Sequence, residues 1–231
     1  MKKASPWSSP ASAISATKKI NFPMERLAVI TCGPAIAPID SVRRITNFAT
    51  GEIGTLLSRE LLALGYRVLC FRGEGSTAPP PQGVDLRPFT TNESLALALR
   101  NLPAQPALFF HAAALCDFQV TGIDGAESRK KLSSHSGVIH LALQPAPKLL
   151  PTLRTLFPAA KIIGWKYELD GTREDAIAKA RQQLAECHTD ACILNGTAYG
   201  NGFALILPNQ TEIRHIPDKS TLANHLAQHP L

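Results

Sequence analysis

The sequence predicts an α/β fold: a Rossmann-like, mostly parallel sheet flanked by helices, with an antiparallel hairpin near the C-terminus. Three observations predict it. From Leu27 onward, short apolar runs alternate with segments of helical period. The apolar runs are continuous, as in strands buried on both faces. The chain has 231 residues, 45% hydrophobic and 18% charged, which suffices for a full core.

Taken in order, Leu27–Thr31 reads as a buried strand. Glu52–Leu64 reads as a helix, with Ile53, Leu56, Leu57, Leu61 and Leu64 on one face. Tyr66–Phe71 is a second strand, followed by a Gly/Pro-rich loop with three prolines at Pro79, Pro80 and Pro81. Val84–Phe89 reads as a strand, Asn92–Leu102 as a helix, and Pro106–Ala113 and Val138–Leu143 as strands. Lys148–Leu156 reads as a helix, Lys161–Trp165 as a strand, Arg173–Glu186 as a helix and Asp190–Leu194 as a strand. Phe203–Leu207 and Glu212–His215 flank Pro208 and Asn209 as a hairpin, and a short helix follows from Ser220. No internal repeat is visible.

Composition narrows the function. No apolar run is long enough to cross a bilayer, so no membrane role is expected. The net charge is +6, but Lys2, Lys3, Lys18 and Lys19 supply part of it, so a nucleic-acid surface is not indicated and an anionic small ligand serves as well. The five cysteines have no zinc-finger spacing and read as buried free thiols in a reducing compartment, the cytoplasm. Residues 1–24 are rich in Ser, Ala and Lys and carry no acid, and read as disordered or as a spurious extension before a start at Met24, with an organelle transit peptide as the alternative. Residues 25–231 read as a single domain.

The chemistry gathers in a few segments. In Thr31–Gly54 a strand ends in a Gly/Pro turn, a loop carries Asp40, Arg43, Arg44 and Asn47, and a helix opens at Thr50 and Gly51. Thr50 fits an N-cap, and the helix dipole with Gly51 and Gly54 suits a phosphate. In Phe109–Phe118, small residues at a strand end precede Asp117, which suits a ribose, a base or a metal, or merely caps a loop. Gln119–Gly137 is polar with no helical period and reads as a lid, with Arg129, Lys130 and Lys131 as its basic charge. Trp165, just beyond a strand, stacks on a base or belongs to the core.

Together these segments resemble phosphopantothenoylcysteine synthetase, the ligase of coenzyme A synthesis. The family's TSGGTxExID is matched by Thr31–Asp40, and its VRxITNxSSGxxG by Val42–Gly54. AxxDY resembles Ala114–Phe118, the lid motif KISS resembles Lys131-Leu132-Ser133-Ser134, and PKII resembles Pro147-Lys148-Leu149-Leu150. GFK appears as Gly164-Trp165-Lys166 and the late AN as Leu194-Asn195. The KISS and PKII variants look like the free-standing bacterial form. The resemblance implies a homodimer. It implies that the 4′-phosphopantothenate carboxylate attacks the α-phosphate of CTP, or of ATP, with Mg²⁺. The cysteine amine then captures the acyl-nucleotide.

Carried over residue by residue, the resemblance makes Asn47 and Lys131 catalytic. Gly33, Arg43, Thr50, Gly51, Gly54 and Ala114 would meet nucleotide or phosphate, as would Asp117, Pro147, Lys148, Trp165 and Lys166. No protein metal ligand is assigned.

The sequence also departs from the pattern. Gly33, Pro34, Ala35 and Ala37 stand where the family has GGT and a later Glu. Gln183 and Cys187 stand where helix lysines usually approach the triphosphate, and Gly196 where an Asp is usual. Lys179, Arg181, Lys148 or Lys166 are expected to compensate. The alternative is a catalytically weak relative that binds nucleotide or phosphopantothenate in a regulatory or subunit role. A nicotinamide-dependent reductase is disfavoured, because Cys32-Gly33-Pro34 replaces GxGxxG after the first strand.

Overall fold

A computed structural model describes residues 26–124, 131, 132, 135 and 137–229. The readings of residues 1–24, and of Arg129, Lys130, Ser133 and Ser134, lie outside these described residues.

The centre is β1 (Leu27–Pro34), buried along its whole length because both of its faces carry apolar or small side chains. It pairs in parallel with β4 (Arg67–Gly73) on one side and β6 (Leu108–Ala114) on the other. β5 (Asp85–Phe89) extends the first side, and β9 (Lys161–Tyr167) and β10 (Ala191–Gly196) extend the second, all parallel. β11 (Gly200–Ile206) and β12 (Arg214–Ile216) finish the eight-stranded sheet in antiparallel fashion. The fold class and the C-terminal hairpin are therefore as the sequence predicts.

Chain order explains where a ligand can sit. From β1 the chain passes outward through α1 (Glu52–Ala63) to β4 and β5, then returns through α2 (Asn92–Arg100) to β6 on the opposite side of β1. The connections thus diverge between β1 and β6, which opens a crevice at their carboxyl ends.

Strand alternation splits the core between the two faces. Ala28, Ile30 and Phe110 meet Leu57 and Leu61 of α1 and Leu222 and Leu226 of α5 (Lys219–Gln228). Val29 and Phe109 meet Leu95 and Leu99 of α2 and Leu153 of α3 (Leu150–Leu156). Ala176, Ala180 and Leu184 of α4 (Arg173–Cys187) close over Cys192, Leu194 and Ile206. Capping boxes, Thr91 with Ser94 and Thr172 with Asp175, start α2 and α4. All five cysteines are free and buried, as expected. Among the described residues no helix is long and apolar enough to cross a membrane.

Two small ribbons depart from the sequence reading. Inside the loop of Thr31–Gly54, β2 (Ile36–Pro38) pairs antiparallel with β3 (Arg44–Thr46). The polar segment read from Gln119 as a lid begins instead as strand β7 (Phe118–Ile123). Its antiparallel partner is β8 (Leu141–Pro145), displaced towards the C-terminus from the strand expected over Val138–Leu143. Both ribbons stand off the carboxyl edge of the main sheet.

Candidate active site

The crevice beyond β1 and β6 holds a cleft of about 990 Å³. Gly33, Asn47, Thr50, Gly51, Ala114, Asp117, Pro147, Lys148, Trp165 and Lys166 all line it, so the fold brings together ten of the residues singled out from sequence.

One wall is fixed by side chains bonded to backbone. Asn47 follows β3 and donates through Nδ2 to the carbonyls of Ala114 (3.2 Å) and Leu115 (3.0 Å) at the end of β6. Asn92, at the start of α2, clamps the same turn from behind. Its Nδ2 donates to the Cys116 carbonyl (2.8 Å) and its Oδ1 accepts from the Cys116 amide (3.0 Å). His111 of β6 lies 7% exposed at the floor, its Nδ1 2.7 Å from the Thr31 hydroxyl. Burial pushes the His111 imidazole down to about 4, so the ring is neutral near pH 7. Burial likewise pushes the Cys116 thiol up, which disfavours a thiolate there.

The other wall is cationic. Lys166 of β9 and Lys179 of α4 both pair with Glu168, at 3.0 Å and 2.6 Å. Burial would raise the Glu168 carboxyl, but hydrogen bonds from Lys179 and Lys166 outweigh it and hold the group below the usual carboxylate range. Lys148 pairs with Asp117, and Lys219, the first residue of α5, pairs with Glu52 of α1. Trp165 satisfies both readings: it packs partly buried against the core and also borders the cleft. Gln183 lines the cleft, and its Nε2 donates to the Trp165 carbonyl at 3.1 Å.

A family model described as the DNA/pantothenate metabolism flavoprotein C-terminal domain matches residues 24–229. The chain belongs to this family. Among its relatives, the coenzyme A biosynthesis bifunctional protein CoaBC of Thermococcus kodakarensis is 26% identical over 196 residues, covering 80% of this chain and 47% of that protein. CoaBC of Methanocaldococcus jannaschii is 29% identical over 167 residues, covering 72% and 40%. The chain thus spans about half the length, or less, of these curated relatives. In structure, the DNA/pantothenate metabolism flavoprotein of Streptococcus pneumoniae shares the fold at a TM-score of 0.76 and 22% identity, covering 88% of this chain and 97% of that one. A Cab2 mutant in complex with phosphopantothenate-cysteine shares it at 0.68 and 20% identity, covering 86% and 84%.

Within this family member, several residues sit differently from their sequence reading. Thr50 does not occupy the N-cap of α1; Gly51 does, at φ +79, a backbone that a side chain rarely adopts. The Thr50 hydroxyl still accepts from the Glu52 amide at 3.3 Å. Gly54 faces away from the cleft: a Cβ there would lie 2.3 Å from Cys32 Sγ, so its smallness serves helix–strand packing. Arg43 also lies outside the cleft. Its Nη1 holds the Asp40 carboxylate (2.6 Å) and the Leu132 carbonyl (3.3 Å). Asp40 takes the Leu132 amide as well (3.1 Å), and the backbone amides of Leu132, Val42 and Arg43 hold its carboxyl far below the usual range. Together Asp40 and Arg43 latch the residue next to Lys131, and Lys131 itself is exposed and does not line the cleft. Arg181 points elsewhere, donating to the Gln210 and Thr211 carbonyls.

Sequence reasoning also left four contributors unassigned. His111 lies inside Phe109–Phe118, read there for its small residues and Asp117, and Glu168 lies just past Gly164-Trp165-Lys166. Asn92 read only as a helix start. Arg72, at the end of β4, is 8% exposed and donates to the Ala78 carbonyl and, at 3.5 Å, to that of Gly51, beneath the opening of α1.

Proposed function

We propose that this domain is a nucleotide-dependent ligase that joins 4′-phosphopantothenate to cysteine in coenzyme A biosynthesis. The observation that carries the reading is the meeting of the Asn47–Ala114 contact with a lysine-lined wall in one cleft at the β1–β6 crevice. The family and the CoaBC relatives support the same chemistry.

In the first step a carboxylate oxygen of phosphopantothenate bonds to the α-phosphorus of CTP or ATP, and pyrophosphate leaves. In the second, the cysteine nitrogen bonds to the acyl carbon, the nucleoside monophosphate leaves and the amine loses a proton. Asn47, with both amide hydrogens on the Ala114 and Leu115 carbonyls, fixes the turn against which the acyl group lies. Lys148, Lys166, Lys179 and Lys219 draw the phosphates, taking the part of the lysines that Gln183 and Cys187 replace. Lys131, which lies outside the cleft beside the latched Leu132, would have to come in to the α-phosphate, where charge builds in the transition state, to play the part the family resemblance gives it. Mg²⁺ would travel with the phosphates; among the described residues no three His, Cys, Asp or Glu side chains form a cage, and the exposed Asp117 carboxylate is a suitable hard donor. The bound ion neutralises phosphate charge.

The protein acts in the cytoplasm as a homodimer. Phe48, Val42 and Phe118, exposed on and beside the two ribbons, give a second copy an apolar face to cover.

The test is pyrophosphate release with phosphopantothenate, cysteine and each nucleotide in turn. Release that requires both substrates and one nucleotide is expected. Nucleotide binding by calorimetry with no release would replace the ligase by the binding-protein reading.

A further inference from the structure

Glu168 ends the segment KIIGWKYE just beyond β9, and its carboxylate is the shared partner of two lysines from different elements. Oε1 meets Lys166 of β9 at 3.0 Å and Oε2 meets Lys179 of α4 at 2.6 Å. The carboxylate sits behind the cations: the Glu168 side chain is 12% exposed, against 31% for Lys166 and 48% for Lys179.

Its backbone is held from both directions. The Glu168 amide donates to the Asn195 carbonyl (2.9 Å), and its carbonyl accepts from the Ala198 amide (3.2 Å). The turn after β10 can close on Glu168 only because position 196 is glycine, at φ +117, where a Cβ would stand 2.1 Å from the Glu168 carbonyl oxygen. Gly196 thus fixes the backbone of the residue that gathers the lysines.

We propose that Glu168 is a positioning residue that draws Lys166 and Lys179 into one forked cationic subsite for the polyphosphate of a nucleoside triphosphate. The proposal deepens the ligase reading, on which it rests for the identity of the nucleotide. Two flexible ammonium groups lose side-chain entropy when they order around an anion. Glu168 orders them beforehand and leaves the cluster with a net positive charge. A carboxylate that merely neutralised lysines would act in the opposite sense, so the two roles predict opposite signs when it is removed.

The experiment is calorimetry on the full chain with inorganic tripolyphosphate, and with CTP and ATP in Mg²⁺. The variants are E168A, E168Q, the double variant K166A/K179A, and E168A added to that double variant. The parent is expected to bind tripolyphosphate and at least one nucleotide. E168A is expected to weaken both about tenfold or more, E168Q less so because it retains one acceptor oxygen. In the K166A/K179A background the same change is expected to have little further effect, since its action runs through the lysines. A purely structural residue would lower binding by the same factor in both backgrounds, and that result overturns the proposal. So does unchanged or tighter binding in E168A, or in E168Q if E168A fails to fold. A parent that binds tripolyphosphate but no nucleotide overturns the ligase reading while the subsite stands. A parent that binds neither overturns both.

Discussion

The two walls of the cleft are held by different bonds. On the β1–β6 side, Asn47, Asn92 and His111 each lock onto main chain or onto a buried hydroxyl. On the β9–α4 side, Lys166, Lys179 and Glu168 lock onto one another, and elsewhere along the cleft Lys148 and Lys219 lock onto single carboxylates, Asp117 past β6 and Glu52 of α1. A side chain bonded to a sheet's backbone keeps its geometry whether or not a ligand is present. An ammonium bonded to a carboxylate can exchange that partner for a phosphate. The first wall is therefore suited to orienting a reacting group, and the second to supplying affinity.

The sharpest break of that comparison is Asn47→Ala. The contacts of Asn47 fix the approach to the end of β6, so its loss should fall on the reaction rather than on nucleotide affinity. Turnover in pyrophosphate release is expected to drop by about 10²-fold, on the order of the cost of misplacing a reacting group by about 1 Å when the turn at Ala114 and Leu115 loses its anchor. CTP affinity by calorimetry is expected to stay near that of the parent. A matching loss of affinity would show that both walls serve binding alike.

His111 gives the backbone-anchored wall a pH signature. Its folded value of about 4 lies below the 6.5 of a free imidazole. As pH falls through 6.5 the unfolded chain takes up a proton that the folded chain refuses until about pH 4. The folded state therefore loses stability over that window, by roughly 3 kcal/mol in all. Urea midpoints of the parent and of His111→Gln, taken from pH 7 to 4.5, should show a shallower acid loss in the variant. Parallel curves would mean that the ring is not held neutral by burial.

The parallel core was legible because β1, β4, β6, β9 and β10 are built on apolar runs, whereas β5 is an exposed edge strand with Asp85, Arg87 and Pro88. The two ribbons were not legible. β2 and β3 have three residues each, too few to show a period of two, and Pro34 and Pro38 read as loop. β7 did not stand out because Phe118 and Val120 alternate with Gln119 and Thr121 over too short a span, before Gly122, to mark a strand. At the site, strand-end and glycine positions were readable, but partners far apart in sequence were not. Arg43 meets Leu132 across 89 residues, and Asn92 meets Cys116 across 24. Nothing local in either segment encodes those contacts. Gly51 and Thr50 were exchanged as the cap because a left-handed glycine there reads, in sequence, as a phosphate glycine.

The smallest effect belongs to Lys148→Ala, and it separates affinity from stability within the ion-paired wall. Lys148 and Asp117 are each 67% exposed at the side chain. An ion pair so open to water is screened and costs side-chain entropy, so its removal should change unfolding stability by no more than about 0.5 kcal/mol. The lysine nevertheless lines the cleft, as Lys166 does. If it exchanges Asp117 for a phosphate when nucleotide binds, its loss removes one charge-assisted hydrogen bond, worth about tenfold in affinity. Asp117→Asn, titrated beside the parent without Mg²⁺ so that the Asp117 carboxylate has no ion to hold, supplies the control, since it frees Lys148 without removing it and should leave nucleotide affinity equal or slightly tighter. The thermal midpoint of each variant and its CTP titration decide the matter together. A stable Lys148→Ala with weakened CTP binding would show that this pair exists for exchange. A destabilised variant with intact CTP binding would make Lys148 a structural strut, and would leave the affinity of the wall to Lys166, Lys179 and Lys219.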